Sequence, residues 1–228
     1  MKILIVAATS MEVKLLTEEM DFVSEKSNLL KQYRLEDKET DVLLTGIGTT
    51  FTTFHLTQTL IKNKYDLVLS VGIAGSLSGD LQIGEVVNVI SDEFADLGIE
   101  DKSGFLTLFE SGFVNINEFP FVNGQLKAGQ NNGFISLKKV NGITTNKSHG
   151  KSSSIAELQQ KFSAQVETME GAAVFYVCNQ LDVPCYQIRA ISNYIEPCNL
   201  IQWNIPLALE NLKIAVIKSL KNLEIPVS

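Results

Sequence analysis

The chain has 228 residues, of which 45% are hydrophobic and 20% charged, a composition typical of a folded globular protein. This length suits a single core, so we expect residues 1–228 to form one domain. The formal charge of −7 argues against a nucleic-acid partner, because binding phosphates requires clustered Lys and Arg. No apolar run reaches membrane-spanning length, and the short apolar start lacks a signal-peptide cleavage site. We therefore expect a cytoplasmic protein with no membrane partner.

Cysteine and histidine usage predicts neither a disulfide framework nor a metal site. Cys178, Cys185 and Cys198 are odd in number and show no CxxC spacing, which indicates small buried side chains with reduced thiols. The two histidines lack metal-ligand spacing. We expect His55 on a helix surface and His149 in a loop where it could border a pocket. No cofactor is implied by any spacing.

The first half of the chain alternates apolar strand-like segments with helix signals. Thr9 and Ser10 resemble a helix N-cap, which places Glu12 in the first helical turn directly after a strand. Residues 21–40 are polar and predict peripheral strands or a hairpin. The remaining segments follow from apolar patterning. Strands are predicted at residues 2–8, 41–45 and 65–71, and helices at residues 12–20 and 50–62.

The second half shows the same alternation around one weakly patterned region. Residues 72–76, GIAGS, predict a small-residue turn where a ligand could approach the backbone. Residues 92–130 predict a long loop of the kind that is usually functional or mobile. Strands are predicted at residues 84–90, 137–145 and 185–191, and helices at residues 152–162, 169–181 and 204–223.

Polar side chains cluster around the segment 166–197, which predicts a helix followed by a buried strand. Glu170 lies at the helix entry, and Arg189, Ser192 and Asn193 lie at or near the end of the strand. Ligands bind at the carboxyl ends of the strands in α/β sheets. Each residue also has an ordinary interpretation: Glu12 as a solvated helix residue, Glu170 as a carboxylate favoured by the helix dipole, and Asn193 as a turn residue. Their convergence on one sheet edge favours a site.

Motifs for several common chemistries are missing. In residues 46–51, GIGTTF, a phenylalanine replaces the third glycine of a dinucleotide-binding loop, so a tight turn is the better interpretation. The sequence contains no GxSxG elbow and no GxxxxGK[ST] loop, which argues against serine hydrolase and P-loop chemistry.

Segments along the whole chain resemble the nucleoside phosphorylase and nucleosidase family: MKILIVAATSMEV, TGIG, SVGIAGSL, VETMEGAAVFYVC and QIRAISN. The resemblance implies an α/β, single-domain three-layer α/β/α fold with a central mixed, mostly parallel sheet, and a homodimer or higher homo-oligomer. Within that family, the ending SNYIEPCNLIQWNIPLALENL is most similar to the futalosine hydrolases. These enzymes remove hypoxanthine from futalosine in a route to menaquinone.

The resemblance also implies roles for individual residues. Glu12 matches the water-activating glutamate, and Met169 and Glu170 match the pair that contacts the ribose. Asn193 stands where adenine-specific nucleosidases carry aspartate. A neutral amide can accept from a protonated purine N7 and donate to a 6-oxo group, so asparagine suits hypoxanthine or guanine.

Further residues are expected to support this site. Arg189 and Ser192 would orient Asn193, although a buried ion pair with one of the carboxylates is nearly as good an interpretation of Arg189. The Ala74–Gly75 turn would supply backbone contacts, and Asn146 would lie beside the base. Arg34 and Arg189 are the only arginines, so the basic cluster that phosphorolysis requires is missing and hydrolysis is favoured.

Two alternatives remain open from the sequence. One is a nucleosidase for methylthioadenosine, S-adenosylhomocysteine or another purine nucleoside. The other is a nucleoside-binding protein without catalysis, because fold does not fix function. Cys198 stands where futalosine hydrolases often carry a basic residue, which leaves the group that would hold a substrate carboxylate unassigned.

Overall fold

The computed structural model describes residues 1–102, 104–129, 136–197 and 203–223. Strands and helices alternate along these ranges. The strands are β1 Lys2–Ala7, β2 Asp21–Ser27, β3 Leu30–Leu35, β4 Lys38–Leu44, β5 Leu67–Ser76, β6 Val86–Phe94, β7 Gly98–Asp101, β8 Gly104–Thr107, β9 Leu126–Lys127, β10 Lys138–Thr144, β11 Val166–Thr168 and β12 Cys185–Tyr194. The helices are α1 Ser10–Thr17, α2 Thr49–Lys62, α3 Ser152–Lys161, α4 Gly171–Gln180 and α5 Ile205–Lys221.

One large mixed sheet organises the domain. Its strand order is β11-β10-β6-β12-β5-β1-β4-β3-β2, with β9 on β6 and an additional pairing between β11 and β5. The central strands β12, β5, β1 and β4 run parallel. On one side, β6 pairs antiparallel with β12 and parallel with β10, and on the other side β2, β3 and β4 form an antiparallel edge. The carboxyl ends of β1, β5 and β12 therefore meet at one edge of the sheet.

Helices cover both faces of the sheet, which gives the expected three-layer α/β/α architecture. Alternate residues of β1 point to opposite faces, as strand geometry requires. Ile3 and Ile5 pack in a core with residues of α1 and α5, whereas Leu4 and Val6 pack in a second core with residues of α2 and α4. The predicted hairpin within residues 21–40 is confirmed as β2 and β3.

The turn predicted at residues 72–76 is wrong, because β5 continues as a strand through Ser76. This stretch pairs with β12 on one side, and its last two residues pair with β11 on the other. Small residues are needed here because the neighbours are close. An added Cβ would lie 2.2 Å from Ile195 Cδ1 at Gly75 and 2.4 Å from Glu12 Oε1 at Gly72.

The long loop predicted at residues 92–130 is also wrong in part. The end of β6, the β7–β8 hairpin and the short strand β9 lie within this stretch. Strand β11 was not predicted. Cys178 and Cys185 are buried with free thiols, as expected, whereas Cys198 lies outside the described residues. Along the described ranges, no helix is long and apolar enough to cross a membrane.

Candidate active site

A cavity of about 200 Å³ lies where β1, β5 and β12 end. This is the sheet edge at which the sequence predicted a site, and ligands of α/β sheets bind at that edge. Seven of the nine predicted site residues line the cavity: Glu12, Ala74, Gly75, Met169, Glu170, Ser192 and Asn193. Arg189 and Asn146 do not line it.

Glu12 is fixed by the start of α1 and by β5. Helix α1 begins after Thr9, whose N–H and hydroxyl donate to Glu12 Oε2 at 3.0 and 3.2 Å. The N–H of Ile73 donates to Glu12 Oε1 at 3.2 Å. All three partners are donors, which suits an ionised carboxylate that can accept a proton.

Glu170 lies at the helix entry, as predicted, and is the N-cap residue of α4, which begins at Gly171 and not at residue 169. Its Oε1 accepts a hydrogen bond from the N–H of Gly48 at 2.9 Å. Burial raises the pKa of this carboxyl, and the Gly48 N–H and the charge of Arg189 oppose that rise. Glu170 lines the cavity from the α4 side.

Arg189 is buried and does not line the cavity, and its hydrogen bonds go to residues other than Asn193, which it was expected to orient. Its guanidinium Nη2 donates to Ser70 Oγ at 2.9 Å and to Gln187 Oε1 at 3.2 Å, and Nη1 donates to the carbonyl of Ile188. These partners are uncharged, so the alternative of a directly bonded ion pair is not observed either. Burial lowers the pKa of Arg189, and the nearby charges of Glu170, Glu12 and Asp92 raise it. The arginine thus acts on the carboxylates through space.

A β-bulge presents Asn193 to the cavity. In the pairing of β12 with β5, Ile191 lies opposite Ala74 and Asn193 opposite Gly75, so Ser192 is the extra residue. The Ser192 hydroxyl lies 2.7 Å from Asn193 Oδ1 and donates to it, and Asn193 Nδ2 donates to the Tyr194 carbonyl at 3.1 Å. This hydrogen bond is consistent with the predicted role of Ser192, which is to orient Asn193.

Asn146 has a different position from the one expected beside a base. It is exposed, and its Oδ1 accepts from the N–H and hydroxyl of Thr49 at 3.1 and 2.8 Å, where α2 begins. Its own N–H donates to Asp96 Oδ2 at 2.6 Å. These bonds stabilise the loop that carries Gly48, so Asn146 supports the Glu170 side of the cavity from outside.

Sequence reasoning missed Glu167, which lines the cavity from β11. Glu167 Oε2 lies 2.6 Å from His149 Nδ1, and Oε1 accepts from the His149 N–H at 3.1 Å. The two side chains are 4% and 7% exposed. The sequence did place His149 in a loop that could border a pocket. Its partner Glu167 was missed because it lies on β11, a strand that was not predicted.

A second missed cluster lies under α4. Asp92 Oδ2 accepts from Gln187 Nε2 at 2.8 Å, and Asp92 Oδ1 accepts from the Thr144 hydroxyl at 2.9 Å. Thr144 Oγ1 in turn accepts from the N–H of Ala172 in the first turn of α4. Burial raises the pKa of Asp92 to about 6. This buried cluster therefore fixes the N-terminal end of α4, which Glu170 caps.

Comparison with known proteins agrees with the resemblance noted in the sequence. The family model of the Phosphorylase superfamily matches residues 2–221. A futalosine hydrolase of Streptomyces coelicolor is 31% identical over 67% of this chain and 64% of its own length, so the chain spans slightly less than two thirds of that relative. A futalosine hydrolase of Thermus thermophilus is 30% identical over 76% of this chain and 78% of its own length.

The fold has close counterparts among solved structures. A 5′-methylthioadenosine/S-adenosylhomocysteine nucleosidase from Helicobacter pylori, solved with butyl-thio-DADMe-Immucillin-A, superposes with a TM-score of 0.82 at 20% identity. The match covers 97% of this chain and 98% of that one. Because the family model spans nearly the whole chain, this chain belongs to the Phosphorylase superfamily.

Proposed function

We propose that this chain hydrolyses the N-glycosidic bond of futalosine, releasing hypoxanthine and dehypoxanthine futalosine in the futalosine route to menaquinone. The observation that carries the proposal is the meeting of Glu12, Glu170 and Asn193 on one cavity. The three side chains supply a base for water, a ribose-binding carboxylate and a group for the departing purine. The names of two relatives of this chain, both futalosine hydrolases, support the choice of substrate.

Glu12 would remove a proton from the attacking water while the glycosidic bond lengthens toward an oxocarbenium-like state. Its donors from Thr9 and Ile73 hold the carboxylate in place, so the base is oriented before the substrate binds. Glu170, held by Gly48, would accept hydrogen bonds from the ribose hydroxyls. Among the described residues that line the cavity there is no Lys or Arg, which favours water over phosphate as the nucleophile.

Asn193 would stabilise the departing base. The departing base would take a proton at N7 from solvent, because a neutral amide has none to transfer. Asn193 Oδ1 accepts one bond from Ser192 and retains a second lone pair for that N7–H. Its Nδ2 donates one bond to Tyr194 and retains a second hydrogen for a 6-oxo group. An adenine 6-amino group would face this donor, and a site built on hydrogen bonds discriminates strongly against such a mismatch. Hypoxanthine therefore fits better than adenine.

A homo-oligomer, most simply a homodimer, is part of this proposal. Phe51 and Phe54 of α2 are exposed, and so are Phe113 and Phe119 of the segment after β8. Exposed apolar groups of this size are typical of interaction surfaces. A second copy of the chain is the partner that the family resemblance implies.

The choice of nucleophile is tested by incubating the purified protein with futalosine in buffers with and without phosphate and separating the products by HPLC. We expect hypoxanthine and the unphosphorylated sugar product at the same rate in both buffers. Glu12→Gln should lower kcat by about 10²–10⁴-fold, the usual contribution of a general base. The matched control is Glu18→Gln, which makes the same change at an exposed end of α1. A phosphorylated sugar, or an unchanged rate in Glu12→Gln, would contradict the mechanism.

A further inference from the structure

We infer that the carboxylate of Glu167, held by His149, is a specificity-determining group that accepts a hydrogen bond from the N1–H of a 6-oxopurine. The inference rests on the proposed function in one respect, because it assumes a purine in this cavity. It assigns a role to the buried pair of Glu167 and His149, which the hydrolytic mechanism leaves unused.

The pair is built as a fixed acceptor. Both side chains are more than nine-tenths buried, and Glu167 forms part of the cavity wall. His149 approaches both carboxylate oxygens, with its backbone N–H on Oε1 and its Nδ1 on Oε2. Because each oxygen of a carboxylate has two lone pairs, acceptor capacity remains for a ligand. A buried carboxylate is costly unless its oxygens are bonded, so a cavity that exposes one end of it favours a hydrogen-bond donor there.

The sheet register places Glu167 beside Asn193. Asn193 pairs with Gly75 from β12, and Glu167 pairs with the same Gly75 from β11. Directly paired residues project to the same face, so both side chains rise on either side of Gly75. An added Cβ on Gly75 would lie 3.3 Å from Asn193 Nδ2 and 2.2 Å from Ile195 Cδ1. The space above Gly75 is therefore filled by Ile195, which lines the cavity together with Asn193 and Glu167.

The position along β5 assigns Glu167 to the base end of the cavity. Glu12 bonds the N–H of Ile73 and lies over Gly72. Gly75 is three residues further along the strand, roughly 10 Å away, and its side-chain direction is opposite to that of Gly72. The cavity itself joins the two positions, because Glu12, Gly75, Asn193 and Glu167 all line it. A nucleoside that places its anomeric carbon at the Glu12 end extends its purine toward Gly75. The edge of that purine then faces Asn193 and Glu167 together.

The two groups select the same kind of base. The edge of a 6-oxopurine presents N7, O6 and the N1–H donor in order, whereas the N1 of adenine is an acceptor. Asn193 suits N7–H and O6, and an ionised Glu167 can only accept, so it suits N1–H. Adenine would place its N1 lone pair against the carboxylate and leave both groups unpaired. His149 acts through Glu167 and is a positioning residue.

Calorimetric titration with free bases tests the inference without requiring turnover. For the wild-type protein we expect hypoxanthine to bind at least about tenfold more tightly than 1-methylhypoxanthine or adenine, because a hydrogen bond to a charged group is lost with either. In Glu167→Gln the affinity for hypoxanthine should fall about tenfold. The affinity for adenine should stay or rise, because an amide can donate to N1. Glu157→Gln, on the exposed face of α3, is the matched control and should bind like wild type.

Equal binding of hypoxanthine and 1-methylhypoxanthine by the wild type would overturn the inference, even if no variant folds. The absence of base binding would also overturn it, as would an equal loss of both bases in Glu167→Gln. His149→Asn should reduce hypoxanthine affinity less than Glu167→Gln and leave adenine affinity unchanged. Failure of the proposed function would appear separately, as binding of hypoxanthine without cleavage of futalosine.

Discussion

The Oε1 atom of Glu170 accepts a hydrogen bond from the backbone N–H of Gly48 at 2.9 Å, and this bond joins residues 122 positions apart. It ties the entry of α4 to the loop before α2. Gly48 has a φ of 95°, which favours glycine. An added Cβ there would also lie 3.3 Å from Asn146 Oδ1. The loop conformation and the position of the carboxylate are therefore coupled.

Gly48→Ala should lower the free energy of unfolding by about 1 kcal/mol or more, because alanine is strained at positive φ. The same change should raise KM for the nucleoside, since relief of the strain at residue 48 would move its backbone N–H away from the ribose-binding carboxylate. Thermal melts and steady-state kinetics measure the two effects. Gly79→Ala is the matched control, because nothing lies within 4 Å of its added Cβ and its φ is not positive. Equal behaviour of the two variants would disprove the coupling.

Asp92 should make stability fall as the pH rises from about 4 to about 6. Burial raises the pKa of this carboxyl from its ordinary value of 3.8 to about 6, so the native state holds a proton that the unfolded chain releases. The shift corresponds to about 3 kcal/mol, present below pH 4 and lost above pH 6. Denaturant unfolding of wild type and Asp92→Asn at several pH values should show that the free energy of unfolding of the wild type falls relative to that of the variant between about pH 4 and pH 6. A constant difference would contradict it.

The exposed phenylalanines of α2 should lie in the subunit interface. Phe54 is 60% exposed in the isolated chain. Phe54→Glu should shift the mass measured by light scattering toward the monomer, because a buried unpaired charge is costly. Phe22→Glu is the control, since Phe22 is 59% exposed on the edge strand β2 and should not change the mass. A monomeric wild type, or an unaffected Phe54→Glu, would refute the proposed interface.

Asn193→Asp should move base preference from hypoxanthine toward adenine. A protonated aspartic acid can donate to N7 and accept from a 6-amino group, whereas asparagine offers its N–H to a 6-oxo group. Relative kcat/KM for futalosine against methylthioadenosine should shift toward the latter by about tenfold or more. The neighbouring hydroxyl of Ser192 can hydrogen-bond either side chain, so the substitution suits the bulge. An unchanged ratio would show that position 193 does not determine the base.

The sequence predicted this architecture where apolar patterning was strong. β1, α2 and β12 lie close to where they were expected. β1 and β12 are continuous buried runs, and the buried residues of α2 follow a helical spacing. Strand β11 has three residues and depends on pairing with β5 and β10, which no local pattern reveals. The extension of β5 through Ser76 was also missed. Its small residues resemble a turn, but they serve close packing against Ile195 and Glu12.

The candidate site was predicted to the extent that it lies at strand ends. Glu12, Glu170 and Asn193 were expected there, and they line the cavity. The contacts of Arg189 were not predicted, because its position in a strand does not show that its guanidinium bonds Ser70 and Gln187. Asn146 was misplaced because its long-range bond to Thr49 cannot be read from neighbouring residues.

The most direct test of the central claim is competition between two nucleosides in one reaction. Purified wild-type protein is given equal concentrations of futalosine and methylthioadenosine, and the bases released are quantified by HPLC over the initial rate. The proposed mechanism predicts hypoxanthine in excess of adenine by at least about a hundredfold, because adenine mismatches the hydrogen bonds of Asn193. Adenine as the main product would contradict the assignment of base and substrate.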